Sequence, residues 1–239
     1  MEFGGKTDIG KCRDLNEDSL LINKTDDYYL FVVADGMGGH LAGEVASKLA
    51  VDSINYYISQ NFHSIDNKLD LINHALLYAN SKIYEQSISD SRYANMGTTC
   101  DAAICIDDNV YIGHVGDSRV YLYDGKIKQI TRDHSLVADL IESGSLTEEE
   151  AKNTRQKNII TRALGGDNKL IVDLHHVKIK SKDILLLCSD GLTNGIDDNR
   201  IKEVLEMKIS PEEKSDMLIY MSNASGGYDN STVVVAEKR

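Results

Sequence analysis

Five aspartates lie in short motifs of a kind that can do chemistry: Asp18, Asp35, Asp117, Asp190 and Asp229. Three of them, Asp35, Asp117 and Asp190, follow apolar runs typical of strands and belong to glycine-containing turns. A carboxylate close to a hydrophobic core is costly unless it is paired or bound to a metal. The repeated arrangement therefore predicts one shared cluster, and ligands that are all oxygen indicate a hard divalent cation.

Each motif taken alone has an ordinary structural alternative. Asp35 could cap the helix that follows it, because aspartate is a preferred residue at helix N-termini. Asp117 could form an ion pair with Arg119 inside a strand-turn-strand. Asp190 and Asp229 could lie in simple glycine turns. The five motifs together in one chain favour a common site.

Two further side chains suit phosphate chemistry. The planar guanidinium of Arg13 matches a pair of phosphate oxygens, although segment 8–18 could also be a charged strand edge. His40 follows the Asp35 turn closely enough to face the same cavity. Because imidazole titrates near neutral pH, His40 is a candidate proton donor.

The remaining histidines and the cysteines favour structural roles. His114 is expected to be a packed or hydrogen-bonded strand residue, and His134 is expected to stabilise its own turn. Cys100, Cys105 and Cys188 lie in apolar strand-like contexts, where buried free thiols are common. No CxxC spacing occurs, which argues against a structural zinc site.

Composition limits the classes of function. The chain has 239 residues, 41% of them hydrophobic, and a net charge of -12, which argues against a protein that binds nucleic-acid backbones. No apolar run approaches the roughly 20 residues that span a bilayer, and no signal peptide is recognisable at the N-terminus. We therefore expect a cytoplasmic protein without membrane contact, and a monomer.

Hydrophobic patterns predict the elements that must position these side chains. Alternating or continuous apolar runs indicate strands over residues 28–34, 98–106, 109–115, 119–123, 126–130, 171–179, 183–188 and 231–236. The short links at Asp107-Asp108 and Asp124-Gly125 require antiparallel pairing, and the second is a type I′ turn signal. Apolar stripes at three- and four-residue steps predict helices over 45–58 and 69–83.

The combination predicts two antiparallel sheets with helices outside them in a single domain, 1–239. Ser210-Pro211-Glu212-Glu213 adds a capping box that opens a third helix, with an apolar face over 217–224. Residues 135–164 are polar and contain few apolar positions, so we expect a surface flap there. Within it, Thr147 and Glu150 form another capping box.

The ordered motifs resemble those of the type 2C metal-dependent protein phosphatases, and most closely those of the small bacterial members. The resemblance covers essentially the whole chain. The motifs that carry it are Arg13-x-x-Asn16-Glu17-Asp18, Val33-Ala34-Asp35-Gly36-Met37-Gly38-Gly39-His40, Met96-Gly97-Thr98-Thr99, Gly116-Asp117-Ser118-Arg119, Asp133-His134-Ser135, Ser189-Asp190-Gly191-Leu192 and Gly227-x-Asp229-Asn230.

The resemblance implies an αββα sandwich and a role for each matching position. It implies that Asp35 bridges two metal ions, with the Gly36 carbonyl as a further ligand. It also implies that the site is completed by Asp18, Asp190 and Asp229, and that Asp117 helps to hold a third, weaker ion. Manganese or magnesium is the expected metal.

The same resemblance implies the remaining roles. Arg13 matches the phosphate-binding arginine and His40 the histidine proposed to protonate the leaving oxygen, whereas Asn230 is expected to orient Asp229. The activity implied is hydrolysis of phosphoserine and phosphothreonine on proteins by metal-activated water that attacks phosphorus directly. The implied partners are phosphoprotein substrates and a eukaryotic-type serine/threonine kinase whose action is opposed.

Two other functions compete with this one. The chain could be a non-catalytic binding module that kept the fold, although the complete set of five aspartates argues against a dead relative. It could also be a metal phosphoesterase that acts on small molecules. The flap is where we expect substrate selection.

Overall fold

The computed structural model describes residues 1–38, 42–147, 150 and 159–239. The strands are β1 Glu2–Asp8, β2 Asp18–Lys24, β3 Tyr29–Met37, β4 Gly97–Thr98, β5 Cys100–Ile106, β6 Asn109–Val115, β7 Arg119–Tyr123, β8 Ile127–Gln129, β9 Asp173–Lys178, β10 Ile184–Cys188 and β11 Ser231–Glu237. The helices are α1 Ala42–Asn61, α2 Lys68–Ser89, α3 Leu136–Glu142, α4 Asp190–Gly195, α5 Asp198–Leu205 and α6 Pro211–Ala224, with a 3-10 turn at Ser91–Tyr93.

The strands form two antiparallel sheets. One has the order β1-β11-β10-β7-β8, and the other has the order β2-β3-β5-β6-β9 with β4 paired to β3. Helices α1 and α2 cover the outer face of the second sheet, whereas α4, α5 and α6 cover the outer face of the first. The predicted αββα sandwich is therefore confirmed.

Alternation along single strands explains how each sheet packs on both faces. In β3, Leu30 and Val32 face the helices while Phe31 and Val33 face the opposite sheet. In β10, Leu186 faces the helices and its neighbours face inward. Because both faces are covered, these strands are apolar almost throughout, which made them easy to recognise in the sequence.

The predicted helices are also present. Helices over 42–61 and 68–89 include the two predicted stripes, and α6 begins with the predicted capping box, in which Ser210 and Glu213 bond reciprocally. Within the described residues, no helix has the length and hydrophobicity needed to span a membrane.

Two N-terminal strands were missed, β1 and β2. In β1 the signal is hidden by Gly4 and Gly5, since glycine is depleted in strands. The structure gives the reason for Gly4, because a Cβ there would lie 2.3 Å from the Cα of Glu212 in α6. Close packing of α6 on β1 therefore requires glycine at position 4, and glycine makes the strand hard to recognise from the sequence.

One local expectation was wrong. The turn at Asp124-Gly125 is not a two-residue I′ turn, because Tyr123 pairs with Ile127 and only Gly125 of the pair has a positive φ. Among the described residues of the flap, only the two at its ends are buried: Ser135, and Leu164, which is bonded to Thr98 through its backbone. Thr147 and Glu150 do form their capping box. Residues 148–149 and 151–158 of the flap lie outside the described residues.

Candidate active site

The carboxylates gather at one end of the layer between the two sheets. Asp35 has the same parity in β3 as Phe31 and Val33, so its side chain lies on the face that meets the other sheet. Asp18 is directly opposite Asp35 in the pairing of β2 with β3. Such cross-strand pairs bring the two Cβ atoms to within about 5 Å.

The other three aspartates come to the same end from turns. Asp117 lies in the link from β6 to β7, where the chain passes from one sheet to the other. Asp190 is the first residue of α4, directly beyond β10, and Asp229 lies two residues before β11. Antiparallel pairing of β10 with β11 brings these two turns together.

Burial and mutual repulsion act on the same carboxylates. Removal from water raises the pKa of Asp18 and of Asp117 to about 7, and neighbouring Asp190 adds to both shifts. The pKa of Asp35 is raised well above its usual range by burial first and then by the other four aspartates. Burial, followed by the charge of Asp229, also raises the pKa of Asp190.

Unpartnered oxygens show that this cluster suits a cation. Asp18 Oδ1, Asp117 Oδ1 and Glu17 Oε1 are buried and accept no hydrogen bond from any residue that the structure describes. A buried acceptor without a partner is unfavourable, and an oxygen-only set of this charge fits a hard divalent ion. Among the described residues, no three acidic, His or Cys side chains converge on one point closely enough to hold an ion by themselves. Water or backbone oxygens would therefore have to complete any coordination shell.

Hydroxyl groups hold the Asp18 carboxylate and the backbone of Asp35 in place. The Ser189 hydroxyl donates to Asp18 Oδ2 at 2.7 Å and accepts from the Thr232 amide at 2.9 Å. The Asp35 amide donates to Thr99 Oγ1 at 3.0 Å, and the Thr98 hydroxyl donates to the Asp35 carbonyl at 2.9 Å. Serine and threonine thus fix both the strand end and the side chain.

The side chain of Asn230 has a different role from the one expected, whereas its backbone amide does contact Asp229. Its side chain donates to the carbonyls of Ile9 and Leu15 at 2.9 and 3.0 Å and accepts from the Glu17 amide at 2.8 Å. Only its backbone amide contacts Asp229, at 2.9 Å. The side chain therefore anchors the N-terminal loop rather than orienting Asp229.

That loop brings Arg13 to the mouth of the site. Arg13 donates to Asp229 Oδ2 at 2.8 Å, and both side chains are partly exposed. The hydrogen bond from Arg13 to Asp229 raises the pKa of the guanidinium. A cation at the rim of an acidic cavity is well placed to meet an incoming phosphate.

Two glycines permit the close approach of these segments. A Cβ at Gly36 would lie 2.1 Å from the Gly43 carbonyl oxygen, and one at Gly191 would lie 1.9 Å from the Asn230 carbonyl oxygen. Real Cβ atoms do not approach backbone oxygens so closely. Glycine is therefore required at both positions by packing alone.

The structure decides several of the alternatives left open by the sequence. Asp35 lies within β3 and not at the start of α1. The supposed ion pair of Asp117 with Arg119 does not form, because Arg119 bonds the Asp133 carboxylate through Nε and Nη2 at 2.9 and 2.7 Å. Asp190 begins a helix and not a simple turn.

The structure describes His114 and His134 but not His40. His40 lies outside the described residues, so its role stays a prediction. His114 is a buried strand residue bonded to Asp101 at 2.7 Å, as expected, and His134 bonds the Asp117 turn through Gly116 at 3.1 Å. Burial and neighbouring His114 lower the pKa of His134 to about 4.

Glu17 is a neighbour of the site to which the sequence analysis gave no role. Its pKa is raised by burial, and its carboxylate lies against Gly43, where a Cβ would be 2.3 Å from Glu17 Oε1. The signal was present in the Asn16-Glu17-Asp18 motif.

Comparisons with known proteins agree with this geometry. A family model described as protein phosphatase 2C matches residues 11–224. The serine/threonine phosphatase stp of Listeria monocytogenes is 40% identical over 238 residues, covering 98% of this chain and 94% of that protein. The serine/threonine phosphatase of S. agalactiae superposes with a TM-score of 0.90 at 37% identity, covering 100% of this chain and 99% of that one.

A further solved structure carries metal. The catalytic domain of the serine threonine protein phosphatase PstP, in complex with two manganese ions, has a TM-score of 0.86 and 35% identity to this chain, over 98% of this chain and 96% of that one. The match of the family model and the near-complete coverage of relatives at this identity leave one assignment. The chain belongs to the protein phosphatase 2C family and is a protein phosphatase.

Proposed function

We propose that this protein hydrolyses phosphoserine and phosphothreonine on protein substrates, in a metal-dependent reaction in which water attacks phosphorus directly. The observation that carries the proposal is the cluster of five carboxylates at one end of the sandwich, with unpartnered oxygens on Asp18 and Asp117. Similarity to named serine/threonine phosphatases over nearly the whole chain supports the substrate class.

The carboxylates are the proposed metal ligands. Asp35 would bridge two ions, with Asp18, Asp190, Asp229 and the Gly36 carbonyl around them. Bound manganese or magnesium would lower the pKa of water and so supply the nucleophile near neutral pH. Asp117 is proposed to help hold a third, weaker ion, since its buried Oδ1 has no other partner among the described residues.

Arg13 and His40 complete the proposed machinery. Arg13 would bind the phosphoryl oxygens, because its guanidinium already lies beside Asp229 with part of its surface open. His40 would protonate the leaving oxygen of serine or threonine. His40→Ala should then slow phosphothreonine peptides far more than p-nitrophenyl phosphate, whose leaving group needs no proton; equal losses would argue against the acid role.

The flap is the proposed place of substrate selection. A cleft of about 440 Å³ is lined by Met37, one residue beyond Gly36, and by residues 160–163, 166, 167 and 169–171 of the flap base and the segment after it. Arg162 and Lys169 contribute positive charge to its walls, Asp167 contributes negative charge, and Leu170 contributes apolar surface. Such a cleft suits substrate residues that flank the phosphorylated one.

Wider aspects of the function follow from the same proposal. We expect the 239 residues to act as one phosphatase domain, as a monomer in the cytoplasm, and to oppose a serine/threonine kinase. Removal of the phosphate that a kinase adds is the complementary half of a reversible switch.

The testing experiment compares substrates and metals. Phosphoserine and phosphothreonine peptides and nucleotides are assayed with Mn²⁺, with Mg²⁺ and after chelation. We expect turnover of the peptides, loss on chelation, and little release from nucleotides. Preferred hydrolysis of nucleotides would favour a small-molecule phosphoesterase, and Mn²⁺ binding without turnover would favour a binding module.

A matched pair of variants tests the metal site itself. Asp35→Asn should abolish both Mn²⁺ binding and turnover, because the amide keeps the shape of the carboxylate but not its charge. Asp26→Asn, in the exposed turn between β2 and β3 at the opposite end of the sheet, is the control. An active, metal-replete Asp35→Asn protein would contradict the mechanism.

A further inference from the structure

Residues 132–134, just after β8, contact the chain on both sides of Asp117. The Arg132 carbonyl accepts from His114 Nε2 at 2.8 Å, three residues before Asp117. The Asp133 carboxylate receives both Nε and Nη2 of Arg119, two residues after it. Two consecutive residues, Arg132 and Asp133, thus bond to residues on the N-terminal and C-terminal sides of Asp117.

The third residue of this segment, His134, bonds the residue next to Asp117. Its backbone amide donates to the Gly116 carbonyl at 2.7 Å, and its Nδ1 accepts from the Gly116 amide at 3.1 Å. Both polar groups of the Gly116 backbone therefore bond to His134. Because Asp117 Oδ1 has no partner among the described residues, the position of that oxygen depends on the backbone that His134 holds.

The geometry also fixes the tautomer of His134. Nδ1 accepts a hydrogen bond, so it carries no proton, and the proton of the neutral ring is on Nε2. Nε2 lies 3.2 Å from Asp173 Oδ2 and 3.1 Å from Arg162 Nη1, which donates to the other oxygen of Asp173 at 2.7 Å. Because a protonated Nε2 cannot accept from the guanidinium, it donates to Asp173 Oδ2. The His134 side chain is only 3% exposed, whereas those of Asp173 and Arg162 are 34% and 37% exposed.

The same residue anchors the base of the flap. The Thr161 amide donates to the His134 carbonyl at 2.8 Å, and the next residue, Ser135, forms a bridge with Ile160. Residues 159–162 therefore meet the Asp117 turn through His134. Of its ring nitrogens, Nδ1 contacts the Asp117 turn, and Nε2 contacts Asp173 and Arg162, which bond to each other.

We propose that His134 is a positioning residue that joins two parts of the enzyme: Nδ1 fixes the Gly116 amide and with it the Asp117 carboxylate, while Nε2 fixes the flap base through Asp173. The proposal rests on the proposed function, in which Asp117 helps to hold the third ion. His134 itself contacts neither metal nor substrate in it.

Two substitutions separate the roles of the two ring nitrogens of His134. The amide oxygen of His134→Asn can take the place of Nδ1, and the amide nitrogen of His134→Gln can take the place of Nε2. Asp117→Ala should remove the Mn²⁺ binding that depends on Asp117. We expect His134→Gln to lower the affinity of that same binding by about tenfold, because the buried Gly116 amide loses its acceptor. We expect His134→Asn to keep that affinity within about threefold and to loosen the flap base instead.

Calorimetry with Mn²⁺ measures the first effect, and amide hydrogen exchange measures the second. Exchange at Gly116 should be faster in His134→Gln, and exchange at Thr161 should be faster in His134→Asn. His63→Gln, at a ring whose side chain is 79% exposed, is the control for a histidine change without consequence. A crossed pattern of this kind would not arise from a general loss of stability.

The outcomes distinguish this proposal from the proposed function. Equal changes in both variants, or no change in His134→Gln, would overturn the positioning role even in an active phosphatase. If no Mn²⁺ binding depended on Asp117, the third-ion role would fail, and exchange at Gly116 in the metal-free protein would decide the role of His134. Faster exchange there in His134→Gln than in His134→Asn supports it, and equal exchange overturns it.

Discussion

At the scale of single residues, the site gathers groups that repel one another. Asp18, Asp35 and Asp190 each have a raised pKa because the fold removes them from water and brings them together. A fold that contains such a cluster is destabilised by it unless a cation neutralises the charge. The cluster therefore favours metal binding at the expense of the stability of the metal-free protein.

Asp117 offers a test of this cost through pH. Burial and neighbouring Asp190 raise its pKa from 3.8 to about 7, so in chelator its favourable contribution is present at low pH and is lost as the pH rises to about 7. Asp117→Asn has no such loss. Its free energy of unfolding, minus that of the natural protein, should increase between pH 4 and 7 in urea titrations. A difference that stays constant with pH would contradict the shift, and Asp26→Asn serves as the control.

Arg13 should act on substrate binding more than on turnover. It lies at the rim, paired with Asp229. In the proposed function, its loss removes a charge-assisted bond to phosphate. We expect Arg13→Ala to raise KM for a phosphopeptide by roughly ten- to a hundredfold with a smaller change in kcat. Steady-state kinetics measure both. An unchanged KM would mean that the phosphate is bound elsewhere.

At the scale of elements, the site depends on how closely α4 approaches β11. Gly191 lies against the Asn230 carbonyl, so a methyl group there must push the helix that begins with Asp190 away from Asp229. Gly191→Ala should lower the free energy of unfolding by about 1–3 kcal/mol and weaken Mn²⁺ binding. Denaturant unfolding and calorimetry measure the two effects.

Gly166 provides the matched control for that substitution. Its nearest neighbour for an added Cβ is the Ala163 carbonyl oxygen at 3.8 Å, an ordinary contact. Gly166→Ala should therefore leave both stability and Mn²⁺ binding close to those of the natural protein. Similar losses in the two alanine variants would show that the close approach of α4 and β11 is not what matters.

At the scale of the whole molecule, one apolar layer joins the sheets that contribute the carboxylates. Phe31 is fully buried in that layer and contacts Phe3, with ring centroids 5.9 Å apart. Phe31→Ala should cost about 3–5 kcal/mol, and unfolding should remain a single transition by fluorescence and by circular dichroism, as one domain requires. Tyr56→Ala, at an exposed ring on α1, should cost far less. Two separate transitions would contradict the single domain.

Much of the fold was predictable because the core strands are apolar on both faces and the helices carry regular stripes. Segments 109–115 and 119–123 were predicted with the bounds that the structure gives to β6 and β7. β1 was missed because contact with α6 requires Gly4, and that contact is a tertiary fact. α5 was missed because eight residues are too few for a helical period to be recognised.

The sequence by itself determined which residues are available for chemistry: the aspartates, Arg13 and the glycines occur in an order that indicates the family. Only the tertiary structure decided which side chains contact one another. It paired Arg119 with Asp133 and not with Asp117, and it directed Asn230 to the N-terminal loop. The physical reason is that a residue's type and its strand parity are local properties, whereas the partner of a side chain is set by contacts between segments far apart along the chain.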